Sequence, residues 1–271
     1  MIFDYEFMQN AFAASGLVGL VAGVVGYFLV LRRQAFAGHA LSHVGFAGAT
    51  GAALLGWNPL LGMVAVTLLA SSWMGLLAEK LEDADVVTAA VLSLSLGLGM
   101  LFLHFYNGFA SASSSLLFGN VLAVDRATLW LLAAMAVICL GGMAIIARPL
   151  IFASLQPEVA QARGVNRRLV SVLFLGLVAI CTTQCIQIVG VLLVFTLLVG
   201  PAATVQQLTL PVVAGALLSA LLAIAEAWAG LVLAFYTDWP TSFWITALSS
   251  SAYLAVRFAV RKPRMRQAHV H

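Results

Sequence analysis

Apolar stretches of about 20 residues recur as separate segments along almost the whole chain. A helical stretch of that length matches the roughly 30 Å hydrocarbon core of a lipid bilayer. Each stretch is continuously apolar, whereas the strands of a membrane barrel alternate apolar and polar residues. The sequence therefore predicts an all-α, polytopic membrane protein.

The composition supports this class. Only 8% of the 271 residues are charged and 63% are hydrophobic, whereas a soluble domain has about 25% charged residues. We expect a single transmembrane domain over residues 1–271. The first ten residues contain no Lys or Arg, so no cleavable signal peptide is expected and the first apolar segment stays as a span.

The positions of the apolar stretches predict nine spans, with eight as the alternative. The weakest division lies at residues 182–187, where a polar run indicates either a tight turn between two spans or a polar break within one element. The predicted spans cover residues 10–31, 35–56, 60–78, 86–105, 127–147, 169–184, 187–207, 211–235 and 242–260.

Basic residues cluster at segment ends that nine spans would bring to one side of the membrane. The clusters are Arg32 with Arg33, the arginines between positions 148 and 168, and the basic residues at 261–266. Because cytoplasmic loops are enriched in Lys and Arg, this side is predicted to be cytoplasmic, with the N-terminus outside and the C-terminus inside. Trp and Tyr near positions 57 and 236–239 would form an aromatic belt on the opposite face.

Two histidines, His39 and His43, lie four residues apart in an apolar segment. In a helix these positions share a face, with Cβ atoms about 5–6 Å apart. Two imidazoles that close can ligate one zinc ion or a neighbouring transition metal. The alternative is that hydrogen bonds between packed helices satisfy both rings. The two histidines therefore indicate either a metal pathway or a polar packing contact.

Glu226 is the most isolated charge, with apolar residues on both sides. A carboxylate near the middle of a membrane is costly and by default faces a water-filled path or pairs with a cation. The alternatives are a protonated, hydrogen-bonded core group or a position nearer the membrane surface. The three cysteines, Cys139, Cys181 and Cys185, follow no CxxC spacing and are expected to be small buried hydrophobes.

A short amphipathic helix is predicted near residues 152–164, on the arginine-rich side. Ser154 is expected to cap it, Pro157 suits its first turn and Gly164 ends it. Such a helix would lie on lipid headgroups or dock into another protein. Its candidate contact residues are Ser154, Glu158, Val159, Arg163 and Gly164.

The sequence contains no Walker A pattern, no G-x-G-x-x-G opening a helix after a strand and no G-x-S-x-G. It therefore offers neither a nucleotide site nor a hydrolase nucleophile, and an enzyme is not expected. If the chain takes part in uphill transport, the energy comes from elsewhere.

Several motifs in the same order resemble the membrane subunits of the ABC-type zinc, manganese and iron importers over nearly the whole chain. Residues 28–33 look like the family's exit from the first span, and residues 38–43 are similar to its Gly-Asp-Ala-Leu-Ser-His signature, with His39 in place of the acid. Residues 187–194 and 198–204 resemble its Val-Gly-x-Leu-Leu-Val and Leu-Pro-Ala-Ala-Thr stretches. Residues 230–240 resemble its Gly-Leu-x-x-Ser-Tyr-x-x-Asp-x-Pro segment.

The resemblance implies a type II ABC importer-like permease in a bacterial cytoplasmic membrane. It implies a homodimer, two ABC ATPase subunits that use ATP, and an extracytoplasmic metal-binding protein. This chain would bind neither a cofactor nor nucleic acid, and the segment at 152–164 would be the coupling helix that seats in the ATPase. The metal would pass His39 and His43. Glu226 matches none of these family motifs, and it would supply the missing negative charge if the helices meet.

Two imidazoles favour zinc over manganese, which prefers oxygen ligands, so zinc is the expected cargo. The alternatives are a manganese or iron importer and an importer of the same architecture for a metal chelate. A non-transporting membrane scaffold or sensor is the remaining possibility. A neighbouring ATPase and a His-rich or acidic binding protein in the same operon would distinguish the importers from the scaffold.

Overall fold

The computed structural model describes residues 5–77, 84–105, 117, 119–156, 158–159 and 163–267, with the backbone alone for residues 84 and 261–267. This part of the chain contains nine α-helices and a short 3₁₀ turn at Val121–Ala123. The helices are α1 (Glu6–Leu31), α2 (Ala35–Leu54), α3 (Pro59–Leu77), α4 (Ala84–Phe105), α5 (Arg126–Leu155), α6 (Arg167–Val189), α7 (Val194–Gln206), α8 (Val212–Thr237) and α9 (Thr241–Gln267).

The predicted all-α polytopic membrane fold is confirmed, and each of the nine predicted spans corresponds to one helix in the described residues. Seven of the helices are long and apolar enough to cross a membrane. The other two are α2 and α7. Because α7 has only 13 residues, it extends for roughly 20 Å and does not cross the hydrocarbon core alone.

The predicted division at residues 182–187 is wrong in position. This polar run lies inside α6, and the chain breaks at Gly190, which has φ +77°. Within the helix, Thr183 donates its hydroxyl to the Ala179 carbonyl at 3.0 Å, and it faces Thr67 of α3, 3.4 Å away. A threonine that hydrogen-bonds the preceding turn is compatible with a helix, so polarity alone did not locate the break.

Helices α1 and α6 form the centre of the bundle. In the most apolar stretch of each of these two helices, 67% of the residues are buried. The corresponding shares are 22% in α4 and 11% in α9, so these two helices lie at the periphery. Helix α1 packs on α5, α6, α7 and α8, whereas α2 packs on α3 and α4.

The glycines of α1 explain its central position. A Cβ atom at Gly19, Gly23 or Gly26 would meet the backbone of α8 or α7. Small residues let helix backbones approach closely in membranes. The close packing of α1 against α7 and α8 therefore depends on these glycines.

The bundle has two chemically distinct ends. At the arginine end, Arg32 donates to the Ser171 hydroxyl at 2.7 Å and lies 5.4 Å from the centre of the Phe174 ring. Arg168 at the same end donates to the Leu76 carbonyl. The opposite, aromatic end contains Trp57, Asn120 and Trp239. It also contains Asp238, which ends α8 in the left-handed conformation expected of a turn residue.

Candidate functional site

His39 and His43 lie on one face of α2, as predicted. Their ring centroids are 4.9 Å apart and the rings are edge to face at 83°. Both residues are half-buried. His39 also contacts the Phe195 ring of α7, with centroids 5.5 Å apart, and stacks against Phe36. The site therefore presents two imidazoles against an aromatic wall formed by α2 and the start of α7.

Small residues beside the histidines bring α2 close to its neighbours. A Cβ at Gly38 would meet the Leu29 and Leu198 side chains, and a Cβ at Gly45 would meet Ile186. The Ser42 hydroxyl donates to the backbone carbonyl of His39 at 2.7 Å. Two imidazoles supply half of a tetrahedral zinc site.

No group of three or more His, Cys, Asp or Glu residues is close enough to hold a metal within the described ranges. His39, His43 and Glu226 are all described, so the structure does not bring Glu226 to the histidines. The expectation that Glu226 replaces the missing acid is therefore not met in one subunit. Among the described residues, no His, Cys, Asp or Glu side chain joins the histidine pair as a third metal ligand.

Glu226 is only 4% exposed and faces α9 rather than α2. The Ser249 hydroxyl of α9 interacts with this carboxyl. A Cβ at Gly200 would collide with the same hydroxyl, so this carboxyl lies where α7, α8 and α9 meet. The burial of Glu226 differs from a position near the membrane surface, and its role in the metal path stays a prediction.

The predicted cap at Ser154 is wrong. Helix α5 continues to Leu155, and the Ser154 hydroxyl donates back to the Leu150 carbonyl at 2.5 Å. A serine bonded to the carbonyl four residues earlier extends a helix instead of starting one. The predicted position of Pro157 lies outside the described residues.

The rest of this segment has a separate helical turn. Glu158 and Val159 are helical and exposed, and the Arg163 N–H donates to the Val159 carbonyl at 3.1 Å. Gly164 has φ +73°, a left-handed conformation that ends a helix, as predicted. The Arg163 guanidinium lies 5.9 Å from the Phe152 ring centre, which links this turn to the end of α5.

The sequence analysis missed the positions of two polar residues. Arg32 was used only as a marker of orientation, but it also joins the α1–α2 corner to α6 through Ser171. Gln184 was interpreted as part of a break, but it is fully buried within α6. An amide side chain in an apolar stretch was the available signal, because such a group is rare in a span unless it faces the bundle interior.

Residues 4–260 match the model of a family described as the ABC 3 transport family. The chain is 29% identical to the manganese transport system membrane protein MntC of Halalkalibacterium halodurans, covering 95% of this chain and 88% of that one. It is 32% identical to the protein of the same name from Listeria innocua, covering 77% and 74% of the two chains.

The fold is similar to that of a solved structure described as PsaBC from Streptococcus pneumoniae in complex with Fab. The TM-score is 0.86, the sequence identity is 24%, and the superposition covers 98% of this chain and 97% of that one. At this identity the likeness shows the fold.

Proposed function

The chain belongs to the ABC 3 transport family, and we propose that it is the membrane-spanning subunit of an ATP-driven importer of a divalent transition metal, with manganese as the first cargo. The observation that carries the proposal is the family match over residues 4–260. The chain is a permease subunit and not an enzyme, so ATP is hydrolysed by a separate subunit.

Manganese replaces zinc as the first cargo because several relatives over most of the chain are named for manganese transport. Zinc is the second candidate, and His39 supports it. An imidazole in place of the family's acid removes an oxygen ligand and a negative charge, and imidazole suits zinc better than manganese.

We place the metal pathway at the histidine pair, His39 and His43. Their 4.9 Å ring separation allows both to approach one ion. The described part of one subunit supplies two such ligands and no third. An ion held there by these two is bound loosely enough to be released, which transport requires. A homodimer would bring two copies of α2 into one assembly and is the arrangement proposed here.

The ATPase contact is proposed at the exposed turn that contains Glu158, Val159, Arg163 and Gly164. Three of its features support this: exposure, separation from α5, and a glycine stop. The turn lies between α5 and α6, and α6 starts at the arginine end. The arginine end is proposed to be cytoplasmic, and an extracytoplasmic metal-binding protein would deliver the ion to the aromatic end.

Uptake by the reconstituted complex tests this function. The chain is purified with its ATPase in proteoliposomes, and uptake of radioactive manganese and zinc is measured with ATP and with a non-hydrolysable analogue. We expect ATP-dependent manganese uptake that zinc inhibits by competition. Uptake that is independent of ATP, or ATP hydrolysis without uptake of any divalent transition metal, would refute the proposal.

A further inference from the structure

A pocket of about 660 Å³ lies at the aromatic end of the bundle, away from the histidine pair. It is formed by the start of α1, the 3₁₀ turn, the end of α8 and the start of α9. Its volume is in the range of ligand pockets in proteins. The residues that line it include Phe7, Leu122, Phe235, Asp238 and Trp239.

Three aromatic rings line this pocket, those of Phe7, Phe235 and Trp239, and all three are exposed. The face of an aromatic ring carries partial negative charge and attracts a Lys or Arg side chain within about 6 Å. Exposed rings at the end of a membrane bundle are also typical of an interfacial belt. The carboxylate that lies among these rings distinguishes the pocket from a belt.

Asp238 supplies that carboxylate. It lines the pocket, it is exposed, and it ends α8 with φ +57°. Its N–H donates to the Ala234 carbonyl at 3.0 Å, which fixes the turn. Within the described part of the chain, the Asp238 carboxylate has neither an ion pair nor a hydrogen-bond donor. A free carboxylate beside aromatic rings is suited to a cationic side chain.

The wall of the pocket next to Asp238 is fixed by neighbouring side chains. The Trp239 ring stacks on the Trp244 ring, with centroids 5.6 Å apart and planes 17° apart. Trp244 donates its Nε1–H to the Thr237 hydroxyl at 2.9 Å, and this hydroxyl donates to the Leu233 carbonyl at 2.7 Å. Because the wall is already ordered, a partner that binds there loses less conformational freedom.

The charge of the aromatic end indicates the kind of partner. The described residues at this end carry three carboxylates, Glu6, Asp125 and Asp238, against one guanidinium, that of Arg126. Glu6 pairs with Arg126 at 2.9 Å, and Asp125 caps α5 by accepting from the Thr128 N–H. Asp238 is the carboxylate of this described set that is left for a partner, and a net negative surface attracts a positively charged one.

Two other occupants fit this charge less well. A phospholipid headgroup brings a phosphate, which the net negative charge of this end repels. A second copy of the chain in the same membrane has the same orientation, so it presents the same carboxylates at this level. A protein that approaches from the extracytoplasmic side with a lysine or arginine fits both the charge and the aromatic walls.

We propose that this pocket is the docking site for a lysine or arginine side chain of the extracytoplasmic metal-binding protein. This inference rests on the proposed function, which supplies that partner. Asp238 pairs with the cationic group, and the rings of Phe7, Phe235 and Trp239 contact the charged end and the aliphatic stem of the inserted side chain.

The affinity of the permease–ATPase complex in lipid nanodiscs for the metal-binding protein encoded in the same operon tests the docking site. Asp238→Asn, whose new side chain tolerates the left-handed backbone, should raise the Kd roughly 2- to 5-fold at low salt. Its Kd should also depend less on NaCl concentration. Trp239→Ala should raise the Kd by roughly 2- to 5-fold. Glu6→Gln removes the same charge from a carboxylate that already pairs with Arg126, so it should bind as the wild type does.

Charge reversal identifies the partner's side chain. Asp238→Lys should weaken binding more than Asp238→Asn does, and one lysine or arginine of the metal-binding protein, when changed to glutamate, should restore the affinity. If no such change restores it, the paired side chain does not exist and the proposal is overturned.

An Asp238→Asn complex with the wild-type Kd and salt dependence would also refute the docking site. If this variant keeps the wild-type Kd but loses a thermal stabilisation that phosphatidylethanolamine gives the wild type, the pocket holds a lipid headgroup instead. The test measures affinity and not uptake. Failure of the metal-binding protein to bind the wild-type complex would remove that partner from the proposed function. Binding that is insensitive to Asp238 would refute the docking site alone.

Discussion

Replacing Gly23 with alanine should destabilise the centre of the bundle. A Cβ atom there would lie 2.6 Å from the Ser219 carbonyl oxygen and 2.7 Å from the Ala220 nitrogen, closer than real Cβ contacts allow. The Ser219 hydroxyl also donates to the Gly23 carbonyl at 2.8 Å. Helices α1 and α8 must therefore move apart, and the hydrogen bond between them lengthens.

The magnitude follows from these two contacts. Forcing one extra carbon into a packed core costs about 1–3 kcal/mol, and an interhelical hydrogen bond in a membrane contributes about 0.6 kcal/mol. Alanine returns roughly 0.5–1 kcal/mol through its better helix propensity. The net expectation is a loss of roughly 1–3 kcal/mol in the free energy of unfolding. Ser219→Ala alone should cost about 0.6 kcal/mol.

Reversible unfolding in mixed detergent micelles, followed by tryptophan fluorescence, measures this loss. Gly141→Ala on α5 is the matched control, because a Cβ at that position meets nothing within 4 Å. The control should be neutral or slightly stabilising. If Gly23→Ala unfolds with the same free energy as Gly141→Ala, α1 and α8 are not packed as closely as described.

Three further predictions concern topology, coupling and the helix break. A cysteine at position 265 should react with a membrane-impermeant maleimide only after permeabilisation, and one at position 57 should react in intact cells; the reverse pattern would invert the topology. Glu158→Ala and Gly164→Ala should reduce metal uptake while ATP hydrolysis continues, so more ATP is consumed for each ion taken up. If the number of ATP molecules consumed per ion is unchanged, this turn is not part of the ATPase contact. Gly190→Ala should lower the free energy of unfolding by roughly 1–3 kcal/mol, because φ is +77° at this position. If the variant unfolds with the same free energy as the wild type, the backbone relaxes to accept alanine.

The helix positions could be predicted because continuous apolar stretches of about 20 residues form helices in a membrane. The break between α6 and α7 could not, because polarity and helix ends are different signals. Thr182, Thr183 and Gln184 are polar because they face the bundle interior, where all three are fully buried. The conformational signal was Gly190, whose backbone lies in a region that favours glycine.

The site was predictable in part. The four-residue spacing of His39 and His43 required a shared face, which the structure has. Whether Glu226 joins them depends on how separate helices pack, which no local pattern contains. The cap predicted at Ser154 was wrong because a serine side chain can either cap the start of a helix or bond to the carbonyl of the preceding turn within one.

The proposed metal pathway is tested most directly by metal uptake through the reconstituted complex with the histidine pair altered. His43→Ala should abolish most uptake while the complex still assembles, and His104→Ala on α4, an exposed histidine elsewhere in the bundle, is the control. His39→Asp, which restores an oxygen ligand, should keep transport and shift the preference toward manganese. If His39→Ala and His43→Ala both transport manganese and zinc at the wild-type rate, the histidine pair is a packing contact and the metal takes another route.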